Sequence, residues 1–386
     1  MKQKIAFVVS APITARVFLA HHIRILSQHY DVTVVANCDH AQNELDNLPA
    51  QVHVHSLQLE REINFIADVK SLVLLTRFFK KEKFILVHSV SPKAGLITTM
   101  AGYFSGVSHR IHTFTGQVWV TQTGLKRWLL KTMDKWIARM ATQLLADSLS
   151  QCNFLIEQCV VDKDSIMVLG QGSISGVNLN RFCPSRNRRD SIRSKLKIDQ
   201  SSILLLYLGR LKVDKGVLDL ANAFADIYCR YPHTVLLYVG PDEENLESEI
   251  VKTSGSAYTA IKFVAFTKYP EAYMAAADIF ILPSYREGFG SAVIEAAACE
   301  LPAIVSRIYG LTDAVEEGKT GILFEAGDVD GITKAVGKLI DNRELRQRLG
   351  KNARKRVHDQ YSESKVTEDL CQLYGKLLSD GVKKHI

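Results

Sequence analysis

The sequence has no apolar run that approaches the roughly 18 residues a helix needs to span a bilayer. Its first residues, M-K-Q-K-I-A-F-V-V-S, are too short for the apolar region of a signal peptide and read as a first buried strand. The seven cysteines include no C-x-x-C pair and their number is odd, which favours a reduced cytosolic compartment over a disulfide framework. No D-x-D pair is suited to holding a divalent metal. His53 and His55 share one strand face but lack a third and fourth partner, so they read as surface histidines. Charge of one sign is not concentrated either. Forty-eight Lys and Arg against 41 Asp and Glu leave a net charge of +7, which suits anionic ligands or an anionic membrane surface better than dedicated nucleic-acid binding. What is present is ordinary for a soluble protein with sizeable cores, at 47% hydrophobic and 23% charged. A length of 386 residues predicts two domains.

Strands and helices alternate along both halves. Strands are expected at Ile5 to Val9, Val32 to Ala36, Val52 to Leu57, Ile85 to Val90, Arg110 to Phe114 and Leu144 to Asp147. A loop, Ser10 to Arg16, leads to a helix near Val17 to Ser27, and Pro92 opens another helix, with Lys93 either near a phosphate or solvated. Residues 181 to 202 are basic and lose apolar periodicity, and read as a solvated crossing into a second domain plus a short helix. Strands resume at Ile203 to Leu208, Val235 to Val239, Ile261 to Phe263, Ile279 to Leu282, Ala303 to Ser306 and Thr320 to Phe324. The pattern predicts an α/β protein of two doubly wound, Rossmann-like domains facing each other across a cleft. The expected divisions are 1–180, 181–364, and a C-terminal helix in 365–386 that packs back on the first domain.

Two segments combine aromatic and basic residues: Arg77 to Phe84, and the helix from Leu125 to Met140 with Trp128 and Trp136. Such helices suit an anionic bilayer surface, although a core-facing tryptophan stripe with a solvated basic face would look the same.

The most informative stretch is Ile279 to Leu301, I-F-I-L-P-S-Y-R-E-G-F-G-S-A-V-I-E-A-A-A-C-E-L. A buried strand, a glycine turn and an alanine-rich helix place backbone N–H groups at the carboxyl end of a parallel sheet, where α/β proteins bind phosphate. Glu287 projects from the turn and Glu295 lies on the helix behind it. Two carboxylates beside an anion site suggest a ligand with hydroxyls as well as phosphate, such as a nucleotide sugar. Carboxylates there can also simply complement the helix dipole. Arg210 and Lys215 follow another second-half strand and can converge with both glutamates, since all strand carboxyl ends share one edge. Their fixed charge would neutralise a nucleoside diphosphate leaving group in place of a metal.

G-R-L-x-x-x-K-G at Gly209 to Gly216 and E-G-F-G-x-x-x-x-E at Glu287 to Glu295 resemble the donor site of the family 4 retaining glycosyltransferases, which have the two-domain GT-B fold. The resemblance runs from Ile5 to about Tyr361. It includes H-S-V-S-P-K-A-G at His88 to Gly95 and L-G-Q-G-S-I-S-G-V at Leu169 to Val177. It is strongest to the capsule and O-antigen type that elongates sugars on undecaprenyl diphosphate. The resemblance implies an acceptor-side first domain and a donor-binding second one. Arg210 and Lys215 would bind the diphosphate, after Gly209. Glu287 would bind sugar hydroxyls, with Gly288, Phe289 and Gly290 lending backbone amides, and Glu295 would bind the ribose. It implies front-face attack with retention, no cofactor, no metal in the site and no nucleic acid. The expected partners are a nucleotide sugar, a UDP-linked hexose or N-acetylhexosamine, and a lipid-linked saccharide. The expected location is cytoplasmic, peripheral on the inner face of the membrane.

Two departures stand out. Ser10 to Arg16 lacks the glycines that many relatives carry after the first strand, and Thr115 replaces a histidine before Gly116. His21, His22 and His112 are the remaining acceptor-side candidates, each equally open to a packing role. A nucleotide-sugar epimerase, which needs no acceptor, and a non-catalytic sugar-nucleotide binding protein are the alternatives. The four charged residues together argue against the second.

Overall fold

A computed structural model describes residues 2–38, 45–59 and 64–380. Residues 381–386 of the expected C-terminal segment lie outside the described residues. The chain divides into two compact units, Met1–Gly176 with Glu363–Ile386, and Val177–Ser362.

The first unit is built on a parallel sheet of β1 (Lys4–Val9), β2 (Asp31–Ala36), β3 (His53–Ser56), β4 (Leu86–Val90), β5 (His109–Phe114), β6 (Gln143–Ala146) and β7 (Ile166–Val168). Their order is β3-β2-β1-β4-β5-β6-β7. Strand β1 shows why the sheet is covered on both faces. Alternate side chains point to opposite sides: Ile5, Phe7 and Val9 enter a core with Ile23, Leu26 and Tyr374. Ala6 and Val8 enter another with Leu75, Phe79 and Ile97. A strand buried on both faces reads as a continuous apolar run, as I-A-F-V-V does. The helices Ala20–His29 and Glu363–Asp380 therefore line one face, and Phe65–Glu82 and Pro92–Ser105 the other.

Several expectations change here. The chain after β1 is helical from Pro12, whose missing N–H costs nothing at a helix start. It passes through a π turn at Ala15–Leu19 before Ala20–His29, so the expected loop shrinks to Ser10 and Ala11. In the segment Arg77 to Phe84, Phe79 and Phe84 are buried and Phe78 stacks on His55 with centroids 3.8 Å apart. Those aromatics are core and leave only the cations outside. Lys93 is neither solvated nor open to phosphate. It is buried, with Nζ 2.7 Å from Asp68.

The second unit has a parallel sheet of β8 (Ile203–Leu208), β9 (Thr234–Val239), β10 (Ile261–Val264), β11 (Ile279–Leu282), β12 (Ala303–Ser306) and β13 (Gly321–Phe324). Their order is β10-β9-β8-β11-β12-β13. The basic stretch 181–202 is not a solvated linker. Arg193, on the helix Arg186–Lys195, is fully buried, with Nη2 2.6 Å from Asp278 and other guanidinium nitrogens donating to the carbonyls of Ala276, Asp199 and Ser202. Arg189 binds the other oxygen of Asp278 at 2.9 Å, and Arg181 pairs with Glu271 at 2.9 Å. A buried guanidinium is tolerated because its five donors find acceptors. Among the described residues, no helix is long and apolar enough to cross a membrane.

Candidate active site

In the second unit β9 and β10 lie on one side of β8, and β11 to β13 on the other. The crevice beyond the carboxyl ends of β8 and β11 is thus the point where strand order reverses, the usual ligand position in an open α/β sheet. Two loops meet there, Gly209 to Gly216 and Pro283 to Gly290. Gly216 has φ 68°, and a Cβ on it would collide with the Pro283 carbonyl, so only glycine allows this approach. The loops are also laced together. The Tyr285 N–H donates to the Asp214 carbonyl at 3.0 Å, and the Arg286 guanidinium lies 3.1 Å from the Asp214 carboxylate.

This lacing joins two of the expected residues. Lys215 Nζ lies 2.7 Å from Glu287 Oε1 and donates to the Arg286 carbonyl at 3.0 Å. Ser284 Oγ donates to the same Glu287 oxygen at 2.8 Å. Phe289 is buried against Tyr361, with ring centroids 5.2 Å apart, so it can offer a ligand only its backbone. Gly290, at φ 78°, starts the helix Ser291–Ala298.

Arg210 and Glu295 have other neighbours. Arg210 is exposed, and its Nη1 lies 3.2 Å from Glu243 Oε2. Lys212 bridges Glu243 at 3.6 Å and Glu244 at 2.9 Å. Glu244 also accepts from the Val213 N–H at 2.9 Å, and that bond, with Lys212, holds its carboxyl below the usual range. Glu295 sits one to two turns along its helix. Burial pushes its carboxyl up to about 7, against the pull of Arg181, with Glu271 adding to the rise.

The corresponding switch point of the first unit lies between β1 and β4, and Arg16 is the cation on the turn that follows β1. Ser10 Oγ and Ser91 Oγ are 3.1 Å apart. Ser91 takes φ 81°, ψ 146°, a strained conformation outside glycine, and its side chain does not cap the helix it precedes. Of the candidate acceptor residues, His22 is buried with both ring nitrogens bonded, to Thr367 Oγ1 and the Ile174 carbonyl, each at 2.7 Å. His21 lies 3.6 Å from Glu363. His112 is buried with Nδ1 2.9 Å from Ser89 Oγ. Burial pushes His22 down to about 4 and His112 to about 3, so both stay neutral near pH 7. Thr115 is partly buried, and its carbonyl accepts from Gln117 Nε2 at 3.4 Å.

Comparison with known proteins decides the family. Residues 188–356 match the model for glycosyl transferases group 1, and residues 15–172 match a glycosyl transferase 4-like domain. The chain is 32% identical over 361 residues to the capsular polysaccharide biosynthesis glycosyltransferase CapM of Staphylococcus aureus, covering 92% of this chain and 93% of that protein. The chain belongs to the family 4 glycosyltransferases. It is a transferase enzyme with the GT-B fold. It is also 28% identical to the UDP-Gal:alpha-D-GlcNAc-diphosphoundecaprenol alpha-1,3-galactosyltransferase of Escherichia coli, over 97% of both chains. Among solved structures, a sucrose-phosphate synthase from Thermosynechococcus elongatus superposes with a TM-score of 0.82, at 21% identity over 98% of this chain and all of that one, a likeness of fold.

Within this glycosyltransferase, several polar residues escaped the sequence reading. Glu243 and Glu244 follow a turn, Gly240-Pro241-Asp242, that closes a strand at the sheet edge that carries the site, a signal open to use. Asp214 and Arg286 could have been found only as neighbours of Lys215 and Glu287. His88 opens the His88 to Gly95 stretch, but the resemblance gives it no role of its own. It is buried between Tyr374 and Thr113, 2.7 and 2.8 Å away, and Tyr374 lies far off in the chain.

Proposed function

We propose that this glycosyltransferase moves a sugar from a UDP-sugar to a saccharide carried on polyprenyl diphosphate, with retention at the anomeric carbon. The observation that carries the reading is the Lys215–Glu287 pair at the second unit's switch point, 2.7 Å apart and already seated. The two side chains hold each other in the donor's place. When a diphosphate enters, Lys215 exchanges a carboxylate oxygen for a phosphate oxygen. Glu287 is then released to accept hydrogen bonds from sugar hydroxyls. Arg210 can leave the exposed contact with Glu243 at little cost and join the diphosphate. As the bond from the anomeric carbon to the phosphate oxygen breaks, charge grows on the diphosphate. Cations there stabilise the transition state more than the bound donor. The acceptor hydroxyl attacks on the face the diphosphate is leaving, and its proton passes to a phosphate oxygen. The backbone amides of Gly288, Phe289 and Gly290 would steady the sugar, and Glu295 the ribose.

The donor and acceptor classes are supported by the named activity of the Escherichia coli relative, which matches this chain over 97% of both lengths. A lipid-linked acceptor would put the enzyme at the inner face of the cytoplasmic membrane. The test supplies a short-chain prenyl-diphosphate saccharide and a panel of UDP-sugars, and follows product formation and anomeric configuration by NMR. Transfer with retention, lost in Glu287→Gln, is expected. Inverted product, or undiminished transfer by the variant, would defeat the mechanism.

A further inference from the structure

We propose that Asp147, the first residue beyond β6, binds a hydroxyl group of the acceptor saccharide and so takes part in choosing which saccharide is extended. The identity of the ligand rests on the acceptor reading above. That a binding group stands at this place rests on the first unit alone. Asp147 is buried, yet its Oδ1 has no hydrogen-bond partner among the described residues. A buried carboxyl oxygen left unpaired costs stability and returns none, so folding gives no reason for this carboxyl. Its backbone, by contrast, is engaged on both sides. The Asp147 N–H donates to Gln151 Oε1 at 2.8 Å, and its carbonyl accepts from the Ser173 N–H at 2.7 Å. Gln151 Nε2 in turn donates to Gln117 Oε1 at 3.3 Å. These bonds tie together the loops that follow β5, β6 and β7. Gln117, Gln151 and Ser173 are all buried with Asp147. Such a polar network, where apolar packing would be usual, rigidifies the edge and fixes the backbone that carries the carboxyl.

The place and the chemistry both suit a sugar. Strand order puts β5 between β4 and β6, so Asp147 and Ser91 stand on one carboxyl edge two strand spacings apart, roughly 10 Å. One saccharide can touch both. Ser173 shares with Ser91 a positive φ, here 71°, and its Oγ accepts from the Gly176 N–H at 3.1 Å. Backbone strain of this kind gathers at binding sites. Burial pushes the Asp147 carboxyl up to about 8, so it keeps its proton near pH 7. A protonated carboxyl donates one hydrogen bond and still accepts others. A sugar hydroxyl, which also donates and accepts, pairs with this group in either protonation state. An ammonium would need the carboxylate, and a phosphate the acid.

The test uses the full chain, the UDP-sugar that supports transfer, and a short-chain prenyl diphosphate carrying N-acetylglucosamine. Analogues of this acceptor, each lacking one hydroxyl, complete the set. Asp147→Ala should raise the acceptor KM about tenfold, the loss of one hydrogen bond to substrate, while the KM for UDP-sugar stays within about twofold. Asp147→Asn, which keeps the shape and a hydrogen-bonding group, should raise the acceptor KM about threefold. With wild type, one deoxy acceptor should lose about tenfold. With Asp147→Ala the same analogue should lose nothing further, because both changes remove one and the same hydrogen bond. At pH 8 Asp147→Asn should melt no lower than wild type, since the unfolded aspartate ionises freely and the native one resists. An acceptor KM unmoved by Asp147→Ala would overturn the proposal and leave the acceptor reading standing. So would a lowered melting temperature of Asp147→Asn with equal losses on every deoxy acceptor, the mark of a structural carboxyl. A wild type that transfers to no prenyl-linked saccharide would remove the acceptor reading and this proposal with it.

Discussion

Lys215 and Glu287 are proposed to serve each other in the empty enzyme and the donor in the full one, and a double-mutant cycle can separate the two roles. Their charged atoms are 2.7 Å apart, and the side chains are 11% and 18% exposed. At an effective dielectric of ~20, charges at that distance attract by about 6 kcal/mol. Most of that is returned as desolvation of both groups. A net coupling of about 1–3 kcal/mol should remain for two contacting residues in one network. Lys215→Met, Glu287→Gln and the double variant, unfolded in urea, should therefore give a coupling in that range. Ser284 keeps a hydrogen bond to residue 287 throughout, which limits collapse of the loop. Activity should behave differently. Lys215→Met should lower kcat by about 10²- to 10³-fold, the loss expected when a charge aimed at the developing anion is removed. The second change should not recover that loss, because the catalytic partner of Lys215 is the diphosphate. A coupling below about 0.5 kcal/mol would refute the pair as an energetic unit. A double variant with near wild-type kcat would refute its catalytic role.

The remaining predictions concern buried charge. Arg193→Met should destabilise the second unit by about 3–5 kcal/mol in urea, since it strands Asp278 and several carbonyls without their donor. Asp134 is held up at about 7 by burial, partly offset by the Trp119 hydrogen bond. The native state keeps that proton between the ordinary carboxylate range and about 7, so it loses stability as pH rises across this window. Asp134→Asn should flatten the fall in melting temperature between about pH 4 and 7 while retaining an acceptor for the indole. Glu295, also near 7, should bind ribose hydroxyls better as the carboxylate. UDP affinity measured by calorimetry should rise with pH through 7, and Glu295→Gln should abolish the trend.

The legible parts of the sequence were those with a short-range signal. Strands such as Ile279 to Leu282 announced themselves as apolar runs between turn residues. The glycines at 209, 216, 288 and 290 marked the loops that carry the site. The sequence could not show what long-range contacts would do to charged side chains. Arg193 and Lys93 look like surface cations until Asp278 and Asp68 arrive from distant elements. Phe79 and Phe84 look like a membrane face until β1, β4 and the Pro92–Ser105 helix pack against them. Composition alone cannot separate a basic-aromatic helix that buries its rings from one that exposes them. Of the two such segments, the one with Trp128 and Trp136 exposes its tryptophans.

The contrast between the two switch points bears on why the donor should sit where it does. Both units place a reversal of strand order beside their longest-buried central strands, and either edge could in principle take a phosphate. The first unit meets there through a neutral serine pair, and its adjacent lysine, Lys93, is bound to Asp68. Its nearby histidines are neutral because burial forbids their charge. A nucleoside diphosphate brought to that edge would lose its hydration with fewer cations in return, Arg16 being the one on the turn after β1. The second unit offers Lys215 and Arg210, each held by a carboxylate that can be exchanged for phosphate oxygens without changing the number of ion pairs. At the first unit's edge the hydroxyls of Ser10 and Ser91 are groups suited to an uncharged sugar hydroxyl. On the proposed reading, the same βα architecture, used twice, would separate an anion site from a hydroxyl site through the charges at its loops.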